Sequence, residues 1–263
     1  MHFGIKMILA FAFSFLLAEN ANALCAAEYV GIYPREGSIT RNPVFLLEFE
    51  AAEFKLTNKL DELEFYLLTN KQRKIKVTIL RKVNGIGPDT QFLLQAKEQL
   101  KLNDSVQLQV QFRKNNAPIT DSLFQTYQHK VGRRKWHVTL AADYEPVAWK
   151  EELTWQEPDF RVNSVGNFGV KFSFQVEDSN PVYYDYTPGN RFLEQLFEVE
   201  MDGKIFYAIG GGRRNQFSIY RSDCGGNFYL NRNKNYEANI TALDFSGNRS
   251  KEVKRVAFNT FMR

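Results

Sequence analysis

The apolar residues of this chain recur with a period of two. "SVQLQVQF" sets Val106, Leu108, Val110 and Phe112 against Gln107, Gln109 and Gln111. "RKIKVTILRKV" sets Ile75, Val77 and Ile79 against Lys74, Lys76 and Thr78. "GVKFSFQVE" puts Val170, Phe172, Phe174 and Val176 on one side and Lys171, Ser173, Gln175 and Glu177 on the other. Successive side chains of a strand point to opposite faces, so each stretch predicts a half-buried strand. "FLLEFE", "LEFYLL", "TQFLLQA", "QFSIYRS", "YEANITALD" and "EVKRVAFNTF" add further strands. "QLFEVEMDGKIFYAI" predicts a hairpin, because Asp202-Gly203 suits a two-residue turn with positive φ. No stretch carries a long helical period. Short strands separated by Gly, Asn and Asp turns predict an all-β chain of sandwiches or barrels.

Length and composition refine this picture. The 263 residues are 44% hydrophobic and include 23 Phe and 12 Tyr, a bias that suits pleated surfaces. Lys6 followed by "MILAFAFSFLLA" and the small-residue "ANA" predicts a cleaved signal peptide over 1–23. Its apolar run is shorter than the roughly 20 residues a membrane helix needs, so no transmembrane segment is expected in the mature chain. The expected location is secreted or periplasmic, with surface association open. Cys25 and Cys224 can pair in an exported protein or remain two thiols. Residues 24–140 carry 18 Lys and Arg against 12 Asp and Glu; residues 141–263 carry 15 against 17. The first half is therefore basic, which favours an anionic surface or polymer unless the charge is simply solvated.

Trp136, Trp149 and Trp155 crowd one region with Pro146 and the acidic "KEEL", which marks a junction over 141–157. The expected domains are 24–140 and 158–263, one sandwich each. "YPREGSITRNPVFLLEF" and "LKLNDSVQLQVQF" resemble strands of bacterial Ig-like domains. "YEANITALDFSGNRS" is similar to the end of fibronectin type III modules. The resemblance implies two Ig-like or fibronectin III-like β-sandwiches in tandem, and a role in adhesion, spacing or binding. Within "NYEANITALDFSGNRSKE" the alternation places Tyr236, Ala238, Ile240 and Ala242 inward, leaving Asp244 and Asn248 to hold a turn at Gly247. Tyr236 is placed to anchor a corner.

Chemistry is sparse. His129 and His137 form no HExxH pattern, and no G-x-S-x-G elbow is present. "IGGGRRNQ" could cradle an anion with Arg213 and Arg214, yet it lacks the ending of a phosphate loop and suits a hairpin. "VEDSN" and "ALDFSGN" offer oxygens to calcium without the spacing of an EF-hand loop. No residue is assigned as catalytic, no metal ligand set and no cofactor is expected, and no nucleic-acid motif is found. The binding candidates are Tyr183, Tyr184 and Tyr186, expected in a loop between Pro181 and Pro188, together with Arg213 and Arg214. The expected function is a non-enzymatic exported binding or structural protein of the bacterial envelope. It would recognise a surface protein or glycan through sandwich loops or edge strands. Two other functions stay open. One is a periplasmic chaperone acting by strand addition, which needs a basic open edge in a cleft between domains. The other is a hydrolase or an accessory module of a carbohydrate-active enzyme, which needs a pocket with converging polar groups.

Overall fold

A computed structural model describes residues 29–35, 37–50, 61–84, 90–119, 135–156, 168–187, 190–222 and 225–261. These residues form strands, and among them there is no α-helix.

The first half contributes β1 (Tyr29–Tyr33), β2 (Gly37–Ile39), β3 (Val44–Glu50), β4 (Leu63–Thr69), β5 (Lys74–Asn84), β6 (Thr90–Ala96), β7 (Ser105–Phe112) and β8 (Lys135–Val138). They form one curled sheet in the order β1-β3-β6-β5-β4-β7-β8-β2. The pairs are antiparallel except β2 with β8, which is parallel. β5 makes the curl: Lys74–Lys76 pair with β4, and the strand pairs with β6 from Val77 onward. A register shift between Ile79 and Arg81 marks the turn of the sheet. A bulge of this kind bends a strand and raises its twist. Ile75 and Val77 are buried as the alternation predicts, but Ile79 is 40% exposed and Leu80 47%. The inward expectation for Ile79 fails because the bulge turns that part of the strand away from the core.

Inside the curl lies a core that includes Ile32, Phe45, Leu47, Phe65, Leu67, Phe92, Val106, Leu108 and Trp136. Trp136 is fully buried, packs 4.8 Å from the ring of Phe45 and donates its indole N–H to Pro34 O at 2.9 Å. It belongs to the first core and not to a junction.

The second half contributes β9 (Ala148–Trp149), β10 (Thr154–Gln156), β11 (Phe168–Ser173), β12 (Val176–Glu177), β13 (Val182–Thr187), β14 (Asn190–Met201), β15 (Lys204–Gly211), β16 (Gln216–Ser222), β17 (Gly225–Gly226), β18 (Asn235–Leu243) and β19 (Lys254–Asn259). The main order is β10-β11-β16-β15-β14-β18-β19, with β13 on β14, β17 on β16, and β9 paired separately with β12. β15 and β16 share only the Gly211–Gln216 rung in register, so they splay apart and the sheet folds over. Phe172 and Phe217 from one side meet Phe197 and Phe258 from the other, at ring separations of 4.5–5.3 Å. Trp149 stacks on Phe197 at 5.8 Å and Trp155 lies 6.2 Å from Phe258, so both pack on this second core.

The two halves are not beads on a string. Tyr33, Val44, Leu46, Val83 and Leu93 of the first half belong to the same apolar cluster as Leu196, Tyr207, Leu243 and Phe245 of the second. This explains why β3 and β6 are buried on both faces: one face lines the first core, the other meets the second half. Burying one large apolar side chain contributes about 1.5–3 kcal/mol. A contact built from this many such residues suppresses the hinge motion expected of small polar domain contacts.

Candidate functional site

Among the described residues, three carboxylates gather beside the connection between the halves. Asp143 follows β8, Asp178 follows β12 and Asp244 follows β18. One carboxylate oxygen from each lies within 4.8 Å of the others. Asp143 and Asp244 are buried and Asp178 is half-buried.

Backbone and side-chain bonds fix all three. Asn42 clamps the backbone of Asp143, accepting its N–H at 2.9 Å and donating to its carbonyl at 2.7 Å. Asn248 donates to that same carbonyl at 3.1 Å. Ser179 Oγ donates to the Asp143 carboxylate at 3.2 and 3.3 Å, and the N–H of Glu145 donates to it at 2.9 Å. Asp244 accepts the N–H groups of Ser246 and Asn248 at 2.8 Å each, and the Asn248 side-chain amide at 2.8 Å. These are the local bonds expected of a turn, and Gly247 supplies the positive φ of 91°. The turn also docks on the first half: Val44 N–H donates to Phe245 O, and Thr40 shares a hydroxyl bond with Ser246, both at 2.7 Å.

Burial pushes the Asp244 carboxyl up to about 6, against the donors from Asn248 and Ser246, and the charge of Asp178 raises it further. Asp178 is raised too, by burial first and by Asp143 second. Like charges this close oppose ionisation of Asp178 and Asp244, and three carboxylate oxygens so grouped could hold a hard, oxygen-seeking cation. The two stretches weighed for calcium, "VEDSN" and "ALDFSGN", do come together here. Asp143 has no sequence signal, because it is recruited from the connection between halves.

A second polar group lies along β14. Glu194 is buried; it accepts the N–H of Arg35 at 2.7 Å and pairs with the Arg35 guanidinium at 3.3 Å. Glu198 pairs with Arg81 at 3.1 Å and Arg249 at 2.6 Å, and Tyr207 Oη donates to it at 3.2 Å. Arg35 and Arg81 come from the first half, so both glutamates tie the halves together. Burial alone would raise the Glu198 carboxyl; Arg249 and Arg81 outweigh burial and hold it below the ordinary value. Burial and the Glu198 charge push the Tyr207 phenol up to about 12.

The proposed recognition residues lie elsewhere. Tyr183 is 45% exposed, but it sits in strand β13, not in a loop. The loop expectation fails because the tyrosine run pairs with β14, Tyr183 opposite Leu193. Tyr184 and Tyr186 share that strand; their side chains lie outside the described residues. Arg213 and Arg214 are exposed in the turn between β15 and β16. Val182 and Gly211 both pair with Glu194 from opposite sides, so β13 and the arginine turn flank the same end of β14. Two glycines of "IGGG" are packing residues. A Cβ on Gly210 would lie 2.5 Å from Phe174, and one on Gly211 would collide with the carbonyl of Leu193. Gly212, with a φ of 75° and nothing within 4 Å of an added Cβ, serves the turn that carries Arg213 and Arg214. His137 is exposed on the outer face of β8, 3.0 Å from Ser105 Oγ. His129, Cys25 and Cys224 fall outside the described residues, so the cysteine pairing does as well.

No family model matches the chain. No curated protein matches it either. Among solved structures it is similar to dimeric latent PorU from Porphyromonas gingivalis, with 11% identity and a TM-score of 0.30 over 88% of this chain and 20% of that one. It is similar to a 1.5-MDa bacterial ice-binding adhesin, described for host cell surface retention, with 10% identity and a TM-score of 0.26 over 90% of this chain and 64% of that one. A pullulanase from Anoxybacillus sp. LM18-11 gives 7% identity and a TM-score of 0.23 over 86% of this chain and 25% of that one. The chain thus spans less than two thirds of each of these proteins.

Proposed function

We propose that this chain is a non-enzymatic, exported binding or structural protein of the bacterial envelope, built of two sandwiches fused face to face. Strand order supports the sandwich reading. In the first half β1-β3-β6-β5 and β4-β7-β8 follow the ABED and CFG order of Ig-like domains, with β2 added to β8. In the second, β10-β11-β16 and β15-β14-β18-β19 run in the order expected for the two layers of a fibronectin III-like module. Tyr236 supports it further: its phenol oxygen accepts the N–H of Asn231 at 2.6 Å, which is a tyrosine corner.

The observation that carries the function is where the buried charge is used. Glu194 and Glu198 are buried and tie the halves through Arg35 and Arg81, and the backbone of Asp143 is held by Asn42 of the first half. The space between halves, where a strand-addition chaperone needs a basic edge, is filled by the shared apolar cluster. Recognition then falls to exposed groups such as Tyr183, Arg213 and Arg214. The test is capture from an envelope extract with the mature protein and with a variant carrying Tyr183→Ala, Tyr184→Ala and Tyr186→Ala. Loss of the captured species in the variant supports this surface. Unchanged capture rejects it.

A further inference from the structure

The first half has a sheet face that the second half does not cover. The second half packs on residues of β1, β3, β6 and the far end of β5, and its β13 meets β2 at the edge beside β8. The outward face of β4, β7, β8 and the first turns of β5 is separate from that contact. Register aligns its side chains in rows. Lys74, Leu68, Gln107 and Lys135 form one row across four strands, and Lys76, Tyr66 and Gln109 form the next. The three lysines are exposed, and Tyr66, Leu68, Gln107 and Gln109 are half-buried. With strands about 4.8 Å apart, the first row spans about 14 Å.

We propose that this face is a docking surface for an acidic polysaccharide. Charge complementarity is the first argument. Glu64 is the one carboxylate among the residues of these four strands. It lies 3.8 Å from Lys76 and 3.7 Å from Arg113 and accepts the Tyr66 hydroxyl, so it is shared. Lys74 leans over the Tyr66 ring at 5.6 Å and reaches Gln111 at 3.4 Å, which keeps its charge on the face. Lys74 and Lys135 stand at opposite ends of their row.

The middle of the face decides between anionic partners. It presents glutamine amides and a tyrosine, groups that bond hydroxyls and ring oxygens or stack on a sugar ring. A membrane surface needs exposed large apolar groups, and those on these strands, Ile79 and Leu80, sit at the bulge of β5 beyond the lysine rows.

The inference rests on reading the chain as an envelope binding protein and names a ligand class and a surface for it. The experiment is native-gel retardation of the mature protein in polygalacturonate, with dextran, poly-glutamate and anionic phosphatidylglycerol vesicles as parallel probes. Polygalacturonate should retard the protein at low salt and release it at high salt, while dextran has no effect. The double variant Lys74→Ala, Lys135→Ala should bind about tenfold more weakly. Lys171→Ala, on an exposed lysine of β11, should bind as the parent does. Equal urea midpoints for parent and variants exclude unfolding as the cause. Absence of retardation, equal retardation of the double variant, or stronger binding to poly-glutamate or vesicles overturns the inference. If polygalacturonate fails while tyrosine-dependent capture persists, this inference alone falls; if both fail, the functional reading falls with it.

Discussion

Gln91 of the first half holds both backbone groups of Tyr207 in the second: its amide nitrogen donates to the Tyr207 carbonyl and its amide oxygen accepts the Tyr207 N–H, each at 2.8 Å. A side-chain amide here completes an edge as another strand would. The same nitrogen reaches Glu48 at 2.6 Å. All of this is buried, so Gln91→Leu leaves two backbone groups unpaired at about 1–3 kcal/mol each. Urea unfolding should show a clear fall in midpoint with fluorescence and circular dichroism still coinciding. Separate transitions for the two halves would show that the interface does not couple them.

Glu198 sets the acid limb of stability. Its folded carboxyl lies below the ordinary value, so its contribution is full above the unfolded carboxylate range and is lost as pH falls through the lowered one. Glu198→Gln should flatten the loss of melting temperature below about pH 4. Arg81 and Arg249 are partly exposed, which screens the pair and keeps the neutral-pH cost modest.

Asp244 acts with the opposite sign. Its carboxyl is raised to about 6, so the folded state holds a proton that the unfolded chain releases near pH 4. Stability from this group is full below about pH 4 and declines as pH rises through about 6, by on the order of 3 kcal/mol. Asp178 adds to the same trend, and Asp143 faces both. Asp244→Asn should remove the decline between about pH 4 and 6 in a series of thermal melts. A variant with the parent's slope would place the shared proton elsewhere.

Two glycines should respond very differently to alanine. Gly211 has a φ of 153°, and its added Cβ would overlap the Leu193 carbonyl; Gly203 has a φ of 71° and nothing within 4 Å. Gly203→Ala should cost about 1 kcal/mol from backbone strain alone. Gly211→Ala should prevent soluble expression or separate β14 from β15, seen as lost amide protection along both strands.

Local pattern was legible where one face meets water. Tyr236, Ala238, Ile240 and Ala242 are all buried as their alternation predicts. Asp202 and Gly203 take φ values of 49° and 71°, as the hairpin requires. What alternation cannot show is a second burial on the polar face. Glu194, Leu196 and Glu198 look like a solvated stripe, yet all three are buried because Arg35 and Arg81 arrive from far along the chain. The near-continuous apolar runs of β3 and β6 did carry that signal, since a strand without a polar face is covered twice. Asp143, Asp178 and Asp244 share no spacing at all; only the tertiary fold brings the connection after β8 to the ends of β12 and β18.

The shared apolar cluster also bears on how tightly such a protein can hold something large. With the halves unable to turn, β13 and the lysine face keep one mutual orientation. A polymer that met both of these proposed surfaces would find the second already placed, with little rotational freedom left to surrender. The second step becomes intramolecular, its effective concentration set by a rigid geometry rather than by a linker. Two weak surfaces can give strong retention on an extended polymer and almost none on its fragments.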